Sequence, residues 1–484
     1  MLLKRAEPAT VRGKNVTVVG LARSGIGAAN LLTELGAKVT VTDMKTESEL
    51  RDFVAGLLPS VRLSLGGHPD DIFMKTDMIV VSPGVRLDIR PLAEAKSRGV
   101  EVMGELELAY RIATAGSDNP LVPPLLNPGM GGFLAVTGTN GKSTTTSLLG
   151  FMVRKAGFRT ILGGNIGNAV TEEIRKQRAK GKDQGVDFIV AEVSSFQLES
   201  TEYFRPKVAA IINITPDHLD RYHSLEEYGD AKARIFRNQG EDDFLVLNAD
   251  DPEMMKIESE KLKAKSEKPK TFYFSRKKEV EGIYFKGGRM YCNLPDLFKS
   301  PLINGDEIKI KGVHNLENAM AASAMALLAG CPAQAVIDSL EEFRGLEHRL
   351  EFVRELKGIR YFNDSKGTNV GAVLKSLESF SQPVILIAGG RDKAGDFSKL
   401  RPLVREKVKA LVLIGEATEK IRKALGDITH TLAAADLRDA VLVSQGMSSE
   451  GDVVLLSPAC ASFDMFSDFE DRGRQFKKIV MELK

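Results

Sequence analysis

The chain has 484 residues, 43% of them hydrophobic and 27% charged. That composition excludes wholesale disorder, and the length exceeds one ordinary domain, pointing to roughly two to four. Lys and Arg number 67 against 65 Asp and Glu, a formal net charge of +2, which excludes a surface built to neutralise DNA or RNA, so no nucleic-acid partner is expected. The longest nearly apolar run, Ala319–Ala329, is broken by Ser323 and falls short of the ~18 residues a membrane helix needs, so no membrane insertion is expected. The opening stretch MLLKRAEPATVRGKN turns polar at once and does not read as a secretory signal. Cys292, Cys331 and Cys460 are scattered singles, with no disulfide or CxxC framework, and a reducing cytoplasm is the simplest home.

In chain order the sequence reads as an α/β protein of three domains: 1–104, 105–345 with a linker at about 113–132, and 346–484. In the first, Asn15–Gly20 reads as a buried strand, Ile26–Gly36 as a helix, and Lys38–Asp43 and Asp77–Ser82 as further strands. Strand–helix–strand alternation implies a parallel sheet with right-handed crossovers. Ala115–Gly132, rich in Pro and Gly, reads as linker or surface loop. The central unit offers strands at Phe133–Thr137, Asp187–Val193, Val208–Ile214 and Phe244–Asn248. The basic stretches Lys176–Gln184 and Lys261–Lys270 read as solvated loops. The third unit offers strands at Ile359–Asn363, Val384–Ala388, Ala410–Ile414 and Val453–Ser457.

The strongest chemical signal is FLAVTGTNGKSTTT, Phe133–Thr146. A buried strand runs through Gly138, Thr139, Asn140 and Gly141 into Lys142, Ser143 and Thr144 and then a helix. Backbone N–H groups of such a loop and the helix dipole hold phosphate oxygens, with Lys142 on the β/γ-phosphates and the Ser143 hydroxyl on Mg²⁺. Val136 stands where a strict GxxxxGK[ST] would begin with glycine. Glu192 ends its strand where parallel sheets bind ligands, and its hard oxygens suit Mg²⁺. His218, in NITPDHLDRY, is either a structural or solvated imidazole or a ligand for a second metal. Lys232 lies on the apolar stripe Leu225, Tyr228, Ile235, Phe236. A charged amine there is costly. It either snorkels, pairs with an acid, or stays neutral and reacts with CO2 to give a carbamate, an anionic oxygen ligand.

Gly20–Gly25, GLARSG, resembles a dinucleotide fingerprint, but Ala22 replaces the middle glycine, which argues against simple NAD binding. Asp43 ends the next strand and Ser82-Pro83-Gly84 another. In the third unit NDSKGTN (Asn363–Asn369), GGRDK (Gly389–Lys393), Gly415-Glu416 and SPACASFDMFSDF (Ser457–Phe469) follow four strands, as a binding crevice requires.

The strings TGTNGKST, GGNIG (Gly163–Gly167), EVSSFQLE (Glu192–Glu199), NITPDHLDRY (Asn213–Tyr222), AKARIF (Ala231–Phe236), HNLENAMAA (His314–Ala322), HRLE (His348–Glu351), NDSKGTN and SPACASFDMF occur in order along nearly the whole chain. With them the chain resembles the Mur ligases of peptidoglycan precursor synthesis. DHLDRY and the last two strings resemble the D-glutamate-adding branch.

The resemblance implies a Rossmann-like N-terminal UDP-binding domain, a central P-loop ATPase-type domain and a Rossmann-like C-terminal domain. It implies ATP on Gly138–Thr144 with Asn315, Asn318, Arg349 and Asp364. It implies the UDP-sugar substrate on Arg23, Ser24, Asp43, Ser82, Gly84, Asn165 and His218. D-Glutamate would lie on Lys366, Thr368, Lys393, Ser462 and Phe469. One Mg²⁺ would sit on Ser143 and Glu192, and a second on His218 and a carbamylated Lys232. Lys142, Glu192, His218 and Lys232 would carry the catalysis, in a monomer acting through an acyl phosphate. Asp468 stands where the family pattern leads one to expect Asn, and it is left outside the site. A folylpolyglutamate synthase would share the central unit but leave the first unexplained. A non-catalytic nucleotide switch would bind without turnover.

Overall fold

The computed structural model describes residues 11–115, 125–126, 131–180, 185–218, 221–262, 265–295, 300–392 and 395–484. The chain divides into two compact units, Met1–Gly305 with Glu317–Ser339, and Asp306–Leu316 with Leu340–Lys484. The first unit holds two sheets and the second holds one.

The first sheet is all parallel, in the order β3-β2-β1-β4-β5, built from β1 (Asn15–Val19), β2 (Lys38–Asp43), β3 (Arg62–Leu65), β4 (Met78–Val81) and β5 (Glu101–Gly104). Val16, Val18, Val80 and Val81 have almost no exposure, as strands covered on both faces require.

The second sheet contains β6 (Gly132–Thr137), β7 (Thr160–Gly164), β8 (Phe188–Glu192), β9 (Val208–Ile211), β10 (Phe244–Asn248), β11 (Lys270–Ser275), β12 (Gly282–Lys286), β13 (Arg289–Asn293) and β14 (Ser300–Asn304), in the order β14-β13-β12-β11-β10-β9-β6-β8-β7. Its β12–β13–β14 edge is antiparallel, which the all-parallel expectation lacked. The order reverses at β6, which lies between β8 and β9, so the loop after β6 sits at a topological switch point.

The third sheet is β15-β16-β20-β17-β18-β19, from β15 (Glu351–Leu356), β16 (Ile359–Asn363), β17 (Val384–Gly389), β18 (Val408–Ile414), β19 (His430–Ala433) and β20 (Val453–Leu456). It is parallel except for β15.

Several sequence expectations need correction. The basic stretch Lys176–Gln184 does not start as a loop: the helix Val170–Ala179 runs into it, anchored by buried Val170 and Ile174 one turn apart. Its residues 181–184 lie outside the described residues. Lys265, expected in a solvated loop, donates to the carbonyls of Phe236, Arg237 and Gln239 at 2.9, 2.6 and 3.0 Å. Those carbonyls lie at the end of the 3₁₀ turn Arg234–Phe236 and in the residues just after it, where backbone oxygens need donors from outside the helix. The strand expected to reach Ile214 stops at Ile211. Most of the Ala115–Gly132 segment lies outside the described residues.

Candidate functional site

β6 delivers its last buried residue, Thr137, into a loop that turns through Gly141 at φ +83° and enters the helix Lys142–Lys155. A β-carbon on Gly141 would come closer than 3.0 Å to the Asn318 Oδ1, so glycine is required both by the left-handed backbone and by space. Asn318 is buried and also accepts from the Thr145 hydroxyl at 3.2 Å. It therefore braces the loop from below. Asn315, one turn earlier on the same helix, donates to the Lys311 carbonyl at 2.9 Å.

Asn213, just past β9, splints the loop from the other side. Its Oδ1 accepts from the Thr139 and Asn140 amides at 3.1 and 2.8 Å, and its Nδ2 donates to the Asn140 carbonyl at 2.9 Å. The Thr139 hydroxyl accepts from the Thr215 amide at 3.0 Å. The Thr139 and Asn140 amides, expected on phosphate, are thus spent inside the loop. The donors that open the helix at Gly141, Lys142, Ser143 and Thr144 have the geometry of an anion cradle. Asn213 is not among the residues expected from the sequence, although it stands in NITPDHLDRY; an amide side chain at a strand end is the one signal the sequence carries for it.

Lys142 folds back, its Nζ donating to the Gly138 and Thr139 carbonyls at 2.9 and 2.8 Å. Lys232 approaches the same Gly138 carbonyl at 2.9 Å and lies 4.3 Å from the centre of the Tyr228 ring. Only 1% exposed, its amine is held well below the ordinary lysine range by burial first and the Lys142 ammonium second, with Asp217 opposing. Of the alternatives open from sequence, the buried position removes the snorkelling stem. His218 takes a left-handed φ of +53° and is roughly half exposed. Its ring centre is 4.8 Å from that of Phe196 and 6.2 Å from that of Tyr228.

Glu192 pairs with Val136 in the β6–β8 register, beside the root of the loop. It is 2% exposed; Oε1 accepts from Asn165 Nδ2 at 2.7 Å, while Oε2 is buried with no hydrogen-bond partner. A buried carboxylate oxygen left without a donor is costly unless a cation completes it. Ser143, also buried, follows Lys142 on the loop side. Glu192 and Ser143 therefore fit Mg²⁺. Among the described residues no group of three His, Cys, Asp or Glu side chains could hold a metal unaided.

In the first sheet, Asp43 accepts the Leu21 amide at 2.7 Å and the Lys45 amide at 2.9 Å. The Ser82 hydroxyl donates to the Gly20 carbonyl at 2.7 Å. Both side chains shape the loop between β1 and the helix Arg23–Glu34. Gly25, the last of GLARSG, abuts the Gly20 carbonyl so closely that a β-carbon would collide with it. Arg23 donates to the Gly167 carbonyl at 3.0 Å. Ser24 stands at the helix start, and Gly84 lies in the turn after β4. A cavity of about 410 Å³ in this unit is lined by Arg86, Asp88, Glu199, Arg221 and Arg234, among others. Its arginines are all engaged: Arg86 with Asp88, Arg221 with Glu199, and Arg234 with the carbonyls of Leu198 and Thr201.

In the second unit, Asp364 is buried, with burial raising its carboxyl pKa, and accepts from the Ser376 and Ser457 hydroxyls at 2.6 Å each and from the Leu350 amide at 3.3 Å. Expected on ATP, it is engaged with its own loops. Arg349 keeps a buried Nε with no hydrogen-bond partner. Lys366 Nζ lies 5.4 Å over the Phe469 ring, Thr368 is half-buried, and Ser462 is 2% exposed. Lys393 lies outside the described residues. Asp468 caps the helix Phe469–Glu482 by accepting the Asp471 amide at 2.6 Å, a role that the expected Asn would fill as well.

Three family models match in order: the Mur ligase MurD-like N-terminal domain over 14–104, the Mur ligase middle domain over 136–326, and the Mur ligase glutamate ligase domain over 348–460. The chain belongs to the Mur ligase family. A protein of Geotalea daltonii named UDP-N-acetylmuramoylalanine--D-glutamate ligase is 47% identical, with 98% of each chain covered. One of the same name from Clostridioides difficile is 43% identical over 98% of this chain and 100% of its own. Among solved structures, the UDP-N-acetylmuramate-alanine ligase of Thermotoga maritima has a TM-score of 0.57 at 20% identity, covering 97% of this chain and 100% of that one. MurF of Acinetobacter baumannii has a TM-score of 0.59 at 15%, covering 95% and 93%. At these identities the two structures establish the shared fold alone. Among the described residues no helix is long and apolar enough to cross a membrane.

Proposed function

We propose that this Mur ligase joins D-glutamate to the L-alanyl carboxylate of UDP-N-acetylmuramoyl-L-alanine, using ATP, in cytoplasmic peptidoglycan precursor synthesis. The observation that carries the reading is the pairing of the phosphate loop Gly138–Thr144 with the partnerless Glu192 oxygen at the next strand end, in a chain 47% identical to a protein bearing that activity's name.

A free carboxylate acylates poorly because its leaving group would be oxide. In the proposed course the γ-phosphoryl of ATP passes to the alanyl carboxylate, giving an acyl phosphate and ADP. The D-glutamate amine then adds to the carbonyl, loses a proton, and phosphate leaves. The Gly141–Thr144 amides hold the phosphates in line, and Lys142 exchanges its loop carbonyls for phosphoryl oxygens. Mg²⁺ on Ser143 and Glu192 would neutralise charge developing on those oxygens. Lys232, buried with its amine held well below the ordinary lysine range, offers CO2 the amine that a carbamate needs, and with His218 it would hold a second ion near the acceptor. Asn165, tied to Glu192, and the β1 loop with Arg23, Ser24, Asp43, Ser82 and Gly84 would meet the nucleotide-sugar. Arg349 would serve ATP, and Lys366, Thr368, Lys393, Ser462 and Phe469 the D-glutamate carboxylates.

The test is phosphate release with UDP-N-acetylmuramoyl-L-alanine, ATP and D- or L-glutamate. Turnover should require all three partners and the D-isomer, and hydroxylamine should trap the activated carboxylate. Turnover with a folate acceptor and L-glutamate would overturn the reading in favour of a folylpolyglutamate synthase.

A further inference from the structure

The helix Phe469–Glu482 buries Phe476, Ile479 and Val480 against the third sheet, and on that same stripe it carries Arg472, which has no exposure at all. Its acceptors are one hydroxyl and three backbone carbonyls, none a carboxylate. Nε donates to the Ser365 hydroxyl at 2.9 Å, and Nη2 to the Ser365 and Cys460 carbonyls at 2.8 and 3.2 Å. Nη1 donates to the Ala461 carbonyl at 3.4 Å. The Ser365 hydroxyl passes the chain of bonds on to the Phe469 carbonyl at 2.8 Å. A β-carbon on Gly390, just past β17, would meet Arg472 Nη1 at 3.2 Å. One guanidinium thus joins the loops that leave β16 and β20 and touches the one leaving β17. Burying a guanidinium without a contact carboxylate is expensive, and burial pushes its pKa down to about 10. A packed aliphatic residue would serve stability alone as well or better.

We infer that Arg472 is a positioning residue for D-glutamate: it fixes the two loops that present Lys366 and Ser462 to the substrate carboxylates and places beside them a positive charge with no carboxylate among its hydrogen-bond acceptors. The inference rests on the proposed function and deepens it. Ser365 immediately precedes Lys366, and Ala461 immediately precedes Ser462, so the fork holds each binding residue through its neighbour. Planar donors in fixed directions can tie a hydroxyl and three carbonyls at once; a lysine keeps the charge but cannot span them. The incoming amino acid carries two carboxylates, and positive charge in a water-poor crevice favours both.

The test uses the full chain and steady-state phosphate release with each of the three substrates varied. Arg472→Lys should raise the KM for D-glutamate about tenfold, the cost of roughly one lost charge-assisted bond, and Arg472→Met about a hundredfold or more. The KM values for ATP and the UDP-sugar should stay within about twofold. Ser365→Ala, a smaller perturbation of the same network, should move the D-glutamate KM in the same direction and decides the matter if the Arg472 variants do not fold. An unchanged D-glutamate KM in Ser365→Ala or in a folded Arg472→Lys, with only the melting temperature lowered, overturns the inference and leaves the proposed function standing. An equal rise in all three KM values also overturns it. Wild-type turnover that does not need D-glutamate overturns the proposed function and this inference together.

Discussion

Replacing Gly141 by alanine tests whether the phosphate loop is held in one geometry. Two costs follow from the structure. At φ +83° an L-residue is strained by about 1–2 kcal/mol. The new β-carbon also overlaps the Asn318 Oδ1 and displaces the acceptor of the Thr145 hydroxyl, a bond worth about 1 kcal/mol. If the loop relieves this by moving, restoring the productive arrangement costs about 2–3 kcal/mol, which is roughly a 30- to 160-fold loss in kcat/KM for ATP. Gly157 is the internal control. It closes the same helix at φ +90°, yet a β-carbon there meets nothing within 4 Å, so Gly157→Ala carries the backbone strain without the collision. Phosphate release at varied ATP separates the two: Gly157→Ala should keep a wild-type kcat/KM despite a lower melting temperature. If Gly141→Ala stays within about threefold of wild type, or if both variants lose ATP turnover equally, the bracing of the loop by Asn318 is refuted.

Glu192→Gln keeps an acceptor for Asn165 and removes the charge; kcat should fall on the order of 100-fold and the Mg²⁺ concentration for half-maximal rate should rise, checked by titrating Mg²⁺ in the phosphate-release assay. Lys232→Ala should lose activity to a similar order, with acetate restoring part of it, and ¹³C-labelled bicarbonate should give a carbamate resonance in the wild type that the variant lacks; full activity in the variant ends the ligand role. Glu105 is buried where it caps the helix Val170–Ala179, accepting the Thr171 amide and hydroxyl at 2.7 Å each, and its Oε2 has no partner. Burial raises its pKa against the lowering effect of Thr171. Below the unfolded carboxyl pKa both states are protonated and the site costs nothing. As pH rises through that value and then through the raised folded one, the folded state alone resists ionising and stability is lost. Glu105→Gln should therefore melt higher than the wild type at pH 7, with the difference shrinking toward pH 4; a difference that grows on acidification contradicts the assignment.

Much of this site was readable before any fold was known, and what was readable shares one cause. β2, β10 and β16 fall on their expected residues because each is a short run rich in β-branched, Leu or aromatic residues and bounded by turn residues. The loop after β6 was legible because glycines, lysine and hydroxyls at fixed spacing have few other uses. Lys232 was legible because a charge on an apolar stripe is expensive and demands an explanation, and the structure buries it. Arg472 obeys the same rule, with Phe469, Phe476 and Ile479 at helical spacing around it, but the charged residues crowding that helix hid the stripe. The antiparallel edge β12–β13–β14 was missed because its alternation is short and interrupted by Lys, Arg and Gly, so nothing local separates it from loop.

Least visible were the acceptors that side chains choose among themselves. Asp43, Ser82 and Asp364 stand at strand ends, where substrate-binding groups are expected, yet each is tied to a neighbouring loop. Sequence places a polar residue at the rim of a crevice; only the count of its satisfied donors and acceptors tells whether it faces a ligand or holds the rim in place. By that count Glu192 Oε2, beside the root of the phosphate loop, is one of the buried atoms still without a partner among the described residues, and a carboxylate oxygen left so suits a cation.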